Sequence, residues 1–326
     1  MKFGLTLPAG GEWHYPFMER KLNFAEIRRM LEVGEEEGFE SVWVCDHVVC
    51  PTGSSFDPKM RRKENFSRDC LEAWTTLSAF STITNKMTLC NWVLCNLFRH
   101  PPMLAKMAST LDVISNGRLA LVMGAGWFKE ECEQYGIPYF PYGERMEMFR
   151  ESIKIIKTLW TEKVANFEGK YYSVTDAYLE PKPIQKPHPP IWVGGSTDIL
   201  MNIVAEDADG WDISGTADRV KERVSSLGEK CKDISRNPKD ITIIHGTAIA
   251  KADSYADAVK HVKPTTEYYN VERGEEEAMF LLGTENDIVN QIEKYEEAGV
   301  DIFHFILPQG AEQVSWISKN ILSRFT

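Results

Sequence analysis

The sequence predicts an α/β fold of the closed (β/α)8 type, a TIM barrel, in a single domain over residues 1–326. Three observations predict it. Apolar strand-like runs alternate with helix-period segments along the whole length, the repeating units number eight, and no phosphate-binding glycine fingerprint follows the first strand. Alternating βα units make a parallel sheet, and eight of them close into a ring. The doubly wound rival would show GxGxxG entering a helix. LPAGGEWHY does not supply it, and the later MGAGWFK has Lys129 where the third glycine belongs.

KFGLTLP (2–8) is the first strand, and the amphipathic stretch behind it, over 24–37, is closed by Gly38. SVWVCDH (41–47) is the second, with a helix pattern over 71–84. MTLCNWVL (87–94) is the third, with a helix over 102–114, and RLALVMGAG (118–126) is the fourth. ERMEMFRESIKIIKTLWT (144–161) is a helix with Met148, Ile155, Ile156 and Leu159 on one face. PPIWVGG (189–195) runs into a Gly pair, with a helix over 200–208, and WDISG (211–215) is the sixth strand, with a helix near 218–231. ITIIHGTAIA (241–250) is the seventh, followed by a helix from Ser254 and another capped at Thr284 and running to Ala298. DIFHFILP (301–308) is the eighth.

A minimal barrel needs about 250 residues. The surplus fits four insertions at 49–70, 127–143, 163–188 and 264–283, in loops at the C-terminal mouth. The third holds NFEGKYY, a hairpin signal, and PKPIQKPHPP, whose prolines force an extended surface path.

Net charge is −11, from 37 basic and 48 acidic residues, which argues against nucleic acid or an anionic membrane as partner. MRRK (60–63) is a local exception. The seven cysteines show no CxxC spacing and read as reduced thiols. With no signal-like apolar segment at the start and no run of 18 apolar residues, the expected place is the cytoplasm.

Barrel active sites form where strands end, so the strand-end residues are the candidates. They are Pro8, Asp46, His47, Cys95, Asn96, Gly124, Gly126, Trp127, Gly194, Gly195, Ser196, Ser214, Gly215, His245 and Pro308. The set lacks the three converging ligands of a metal hydrolase, a GxSxG elbow, and a cysteine paired by sequence with a histidine. A mouth so short of acids and bases suits a reaction whose reactive atoms belong to a cofactor. WVGGST (192–197) is either a tight turn or a phosphate loop at a helix start. CNWVLCN (90–96) ends in a polar residue before the abrupt turn FRHPP. Asp46 and His47 read either as functional groups or as a structural histidine with its loop cap. His245 and His304 read as core histidines, and Arg99 and Arg118 as anchors onto loop carbonyls.

The succession DH at 46–47, RHPPMLAKMASTLDVISNGRLALVMGAGWFKEE (99–131), ERMEMFRESIKIIKTLWT, PKPIQKPHPPIWVGGS and ADGW (208–211) resembles the bacterial luciferase-like monooxygenase superfamily along nearly the whole chain. The resemblance implies an oxidoreductase, usually dimeric, that binds FMN or coenzyme F420 at the barrel mouth and acts on a small organic substrate. His47 and Asp46 then match the acidic-His pair beside the ring, His47 as acid or base. Trp92 and Val93 match a non-proline cis peptide that backs the ring, and Cys95 and Asn96 match neighbouring ring positions. Glu130 matches a polar ring contact, and Gly194, Gly195, Ser196 and Thr197 match the phosphate loop. The CN, GAGWFKEE and PIWVGG combination looks most like the F420-dependent branch, whose acidic tail Arg61, Arg62 and Lys63 would hold. Trp127 departs from the catalytic Glu of sugar-phosphate dehydrogenases in the family, which argues against that substrate and for an apolar mouth. The expected reaction is F420-dependent hydride transfer to or from the substrate, and the competing expectations are an FMN-dependent monooxygenase using reduced flavin and O2 and a non-catalytic flavin-binding homologue.

Overall fold

In a computed structural model, residues 1–8, 23–49, 69–268, 271–272, 274–306 and 310–325 are described. Arg61, Arg62, Lys63 and Pro308, singled out above, lie outside them. In chain order the elements are β1 (Lys2–Thr6), α1 (Phe24–Glu36), β2 (Ser41–Val44), α2 (Ala73–Ile83), β3 (Thr88–Asn91), β4 (Leu94–Cys95), α3 (Pro101–Ile114), β5 (Leu119–Gly124), α4 (Lys129–Gln134) and α5 (Tyr142–Thr161). There follow β6 (Ala165–Glu168), β7 (Ser173–Ala177), β8 (Ile191–Gly194), α6 (Asp198–Asp207), β9 (Gly210–Asp212), α7 (Ala217–Asp233), β10 (Thr242–Lys251), α8 (Tyr255–Tyr268), β11 (Phe280–Gly283), α9 (Glu285–Glu297), β12 (Ile302–Ile306) and α10 (Ala311–Asn320).

Parallel pairings run β1-β2-β3-β5-β8-β9-β10-β12 and return to β1, which closes an eight-stranded ring. The closing ladder sets Lys2 opposite Ile302 and Thr6 opposite Ile306. All eight strands of the expected barrel are present. Two differences have local causes. The 87–94 run is not one strand, because the Trp92–Val93 peptide is cis and divides it into β3 and β4. The 264–283 insertion is partly regular structure: α8 continues to Tyr268, and β11 pairs outside the ring with the far half of β10. The 163–188 insertion carries the antiparallel hairpin β6-β7, and the Glu180–Pro181 and Lys186–Pro187 peptides beyond it are cis.

The helices form where the pattern requires. On α1, Ile27, Met30, Leu31 and Gly34 are buried one turn apart, and the Asn23 side chain accepts from the Ala25 N–H at its start. On α9, Thr284 and Asp287 cap each other's backbone reciprocally. One apolar layer lies between ring and helices. A second fills the ring itself, where Trp43 stacks on Trp192 at 5.6 Å beside Cys90, Ala120, Val122 and Ile244. Arg118 donates to the carbonyls of Ser81, Thr84, Met87 and Ser115, tying the β5 entrance to the end of α2.

His245 and His304 are both fully buried, His304 inside the ring against Trp43 and His245 in the layer between ring and helices. His245 donates from Nδ1 to the Ile213 carbonyl at 2.7 Å and stacks on Tyr295 at 4.2 Å. Burial pushes its pKa down to about 4. Because the unfolded chain protonates near 6.5 and the folded one only near 4, stability is lost as pH falls through that window. Unfolding free energy is expected to drop by about 1 kcal/mol between pH 7.5 and 5.5. Urea midpoints across that range test it, and a drop of the same size in His245→Gln would refute the assignment.

Candidate active site

The C-terminal ends of the strands surround one cavity, with an empty space of about 1100 Å³ including its open mouth. Asp46 and His47 follow β2, Cys95 ends β4, and Gly124 to Phe128 follow β5. Gly194 ends β8 and Gly195 to Thr197 lead from it into α6, and Asp212 and Ser214 close the circle from β9. The expected site residues Asp46, His47, Trp92, Val93, Cys95, Gly194, Gly195, Ser196 and Thr197 all line this cavity. Asn96 and Glu130 lie off its wall. The Asn96 side-chain amide is buried with no hydrogen-bond partner, and Glu130 accepts from Gln134 at 3.3 Å along its own helix.

Asp46 and His47 have separate partners. The Asp46 carboxylate accepts both Arg99 nitrogens, at 2.8 and 2.9 Å, and the Cys95 N–H at 3.0 Å. It is therefore fully engaged and couples the end of β2 to that of β4. Burial alone would weaken the Arg99 charge, but Asp46 and Glu72 hold its pKa above the usual guanidinium value. His47 Nδ1 meets Glu131 Oε2 at 3.0 Å. The other oxygen of Glu131 accepts the Val48 and Val49 N–H groups at 2.7 and 3.0 Å, so the carboxylate is the acceptor and Nδ1 carries the proton. Trp127 and Phe128 stack on each other and present to the His47 ring, edge to face.

The rear wall is built from glycines and one branched side chain. A Cβ on Gly194 would fall 2.6 Å from Val93 Cγ2, and one on Gly124 would fall 3.1 Å from Val93 Cγ1. Only bare backbone at both strand ends seats Val93 there. Trp92 donates from its indole to Asp212 Oδ2 at 2.9 Å. Cys95 shares a side-chain hydrogen bond with Cys132, which with burial drives its thiol pKa well up, so it contributes a neutral thiol and no thiolate nucleophile.

At the opposite edge, Gly195 takes a positive φ of 128° and Thr197 caps α6, its hydroxyl also bonded to that of Tyr142. Arg223 reaches this turn, donating to the Ser196 carbonyl and to Asp198 at 2.8 Å. The helix start and the hydroxyls make an anion cradle, with Arg223, off the cavity wall and paired with Asp198, bracing the turn from behind. The cavity, the bare rear wall and this cradle fit a flat ring with a phosphate tail.

Sequence reasoning missed Glu131, Arg99 as the Asp46 partner, and Asp212. Glu131 adjoins Glu130 in KEECEQ, and only the phase of a six-residue helix separates the buried acid from its neighbour. Among the described residues no helix is long and apolar enough to cross a membrane.

A sequence model of the family described as luciferase-like monooxygenase matches residues 1–302. An F420-dependent glucose-6-phosphate dehydrogenase of Amycolatopsis mediterranei is 32% identical over 178 residues, 54% of this chain and 49% of that one. An FMNH2-dependent dimethylsulfone monooxygenase of Pseudomonas putida is 28% identical over 204 residues, 62% of this chain and 52% of that one. The chain thus spans about half the length of these two curated relatives. The F420-dependent tetrahydromethanopterin reductase of Methanopyrus kandleri superposes with a TM-score of 0.77 at 19% identity, over 100% of this chain and 99% of that one, a likeness of fold.

Proposed function

The chain belongs to the luciferase-like monooxygenase family, and from that premise we propose that it is a flavin- or deazaflavin-dependent oxidoreductase acting on a small organic substrate, with coenzyme F420 placed first and FMN second. The observation that carries this is the meeting of the His47–Glu131 pair and the 194–197 turn in one cavity. Bound there, the cofactor supplies the hydride, or with oxygen the oxidising power.

The chain's own residues bind, orient and move a proton. Gly194 to Thr197 take the phosphate, Arg223 holds that turn in place, and Trp92 and Val93 back the ring. His47, its Nδ1–H held by Glu131, takes up and gives back a proton at Nε2. Asp46, bound to Arg99 and the Cys95 N–H, acts as a positioning residue for that wall. Trp127, 47% exposed at the mouth, suits an apolar substrate, and the sugar phosphate of the Amycolatopsis relative is not carried over. A homodimer belongs to the same proposal on the family resemblance alone, and a cytoplasmic place on the reduced cysteines.

The test is a titration of the purified protein with F420 and with FMN, followed by cofactor fluorescence. Binding of one of them well below the millimolar range is expected, and binding of neither would end this reading. Gly194→Ala is expected to weaken that binding at least about tenfold, because Val93 must leave its seat. An unchanged Kd in a folded variant would contradict the rear-wall assignment.

A further inference from the structure

The floor of the cavity carries a carboxylate that neither the proton pair nor the phosphate cradle uses. Asp212 ends β9 and lines the cavity beside Trp92 and Ser214. One oxygen accepts the Trp92 indole N–H at 2.9 Å, and the other lies 3.9 Å from Nε2 of His304. That imidazole is fixed: its Nδ1 bonds Thr6 Oγ1 at 2.7 Å, and Trp43 stacks on it at 4.5 Å. Trp92 meets its edge at 5.2 Å, and a Cβ on Gly246 would fall 2.0 Å from it. His304 Nε2 is buried with no hydrogen-bond partner, so its direction of least cost is toward Asp212. The Asp212 backbone is locked as well, since its carbonyl accepts the Gly195 N–H at 3.1 Å, which joins the floor to the phosphate turn.

A carboxylate held this firmly at a low-dielectric wall has two effects. It fixes the indole that forms the rear wall. It also acts on any ring whose charge changes in the cavity, because a nearby negative charge disfavours the more negative redox state.

We propose that Asp212 is the positioning residue of the ring pocket, orienting Trp92 and holding a charge at the floor that favours the oxidised cofactor over the reduced one. The inference rests on the reading that the cavity holds a flavin or deazaflavin.

Asp212→Asn keeps an acceptor for Trp92 and removes the charge, while Asp212→Leu removes both. Kd values for the oxidised and reduced forms of FMN or F420, whichever the parent protein binds, give the readout. Asp212→Asn is expected to shift the ratio of the two constants about tenfold toward the reduced form. Asp212→Leu should shift it the same way and weaken both. An unchanged ratio in Asp212→Asn overturns the proposal although the parent binds cofactor; a parent that binds neither overturns the functional reading and this inference together. If the Asp212 variants do not fold, Trp92→Phe leaves the carboxylate in place and should loosen both forms equally, and a ratio that moves there refutes the charge role.

Discussion

Replacing Arg99 by alanine is expected to lower the unfolding free energy by about 3–5 kcal/mol, since it strands a buried carboxylate. Asp46 is buried, with both oxygens committed to Arg99 and one shared with the Cys95 N–H. Removing the guanidinium leaves that largely buried charge with one backbone donor at the cavity wall. Glu72, which caps α2 and meets the same guanidinium at 2.5 Å, loses its tether to the mouth. Arg99→Lys restores a charge without the two-pronged geometry, so an intermediate loss is expected. Urea denaturation at neutral pH measures both, and a loss in Arg99→Ala below that of an ordinary surface substitution would show that the pair does not hold the wall.

Substituting His47 with alanine should reduce turnover by about 10²–10⁴-fold, the usual weight of a positioned acid or base, with cofactor Kd changed only a few-fold. The two readouts separate because the phosphate turn and the Val93 wall are built without contacts from His47, whose Nδ1 bonds Glu131. Glu131→Gln retains the ring but weakens its hold on the Nδ1 proton, so a smaller loss of about 10–100-fold is expected. Steady-state rates on the substrate found with the bound cofactor decide the matter. Full turnover in His47→Ala would remove the proton role and leave the pocket standing.

What was legible in the sequence followed from periodicity. Branched runs between amphipathic segments are read without ambiguity, and every ring strand overlaps the run assigned to it, six of them falling wholly inside, with β9 beginning one residue early and β10 ending one residue late. The site was legible wherever a strand ended in a chemically distinct residue, as with Asp46, His47 and the 194–197 turn. It was illegible where one residue of phase decides. Reading the sixth strand as 211–215 pushed its end to Ser214 and Gly215, whereas the ladder stops at Asp212, and the ionisable group there was passed over. Glu130 and Glu131 differ only by the rotation of a short helix, which no pattern in six residues fixes. Arg99 is a long side chain whose partner, 53 positions away, becomes its neighbour only when β2 and β4 meet at the mouth.

The closing ladder between β1 and β12 joins segments about 300 positions apart. During synthesis, therefore, no amount of correct local structure completes the ring until residues 302–306 have left the ribosome. Up to that moment the nascent sheet has two bare edges, on β1 and on β10, each offering unpaired backbone groups to any neighbouring chain. The eighth ring strand acts as the clasp, and a chain interrupted before it would be left to the chaperones.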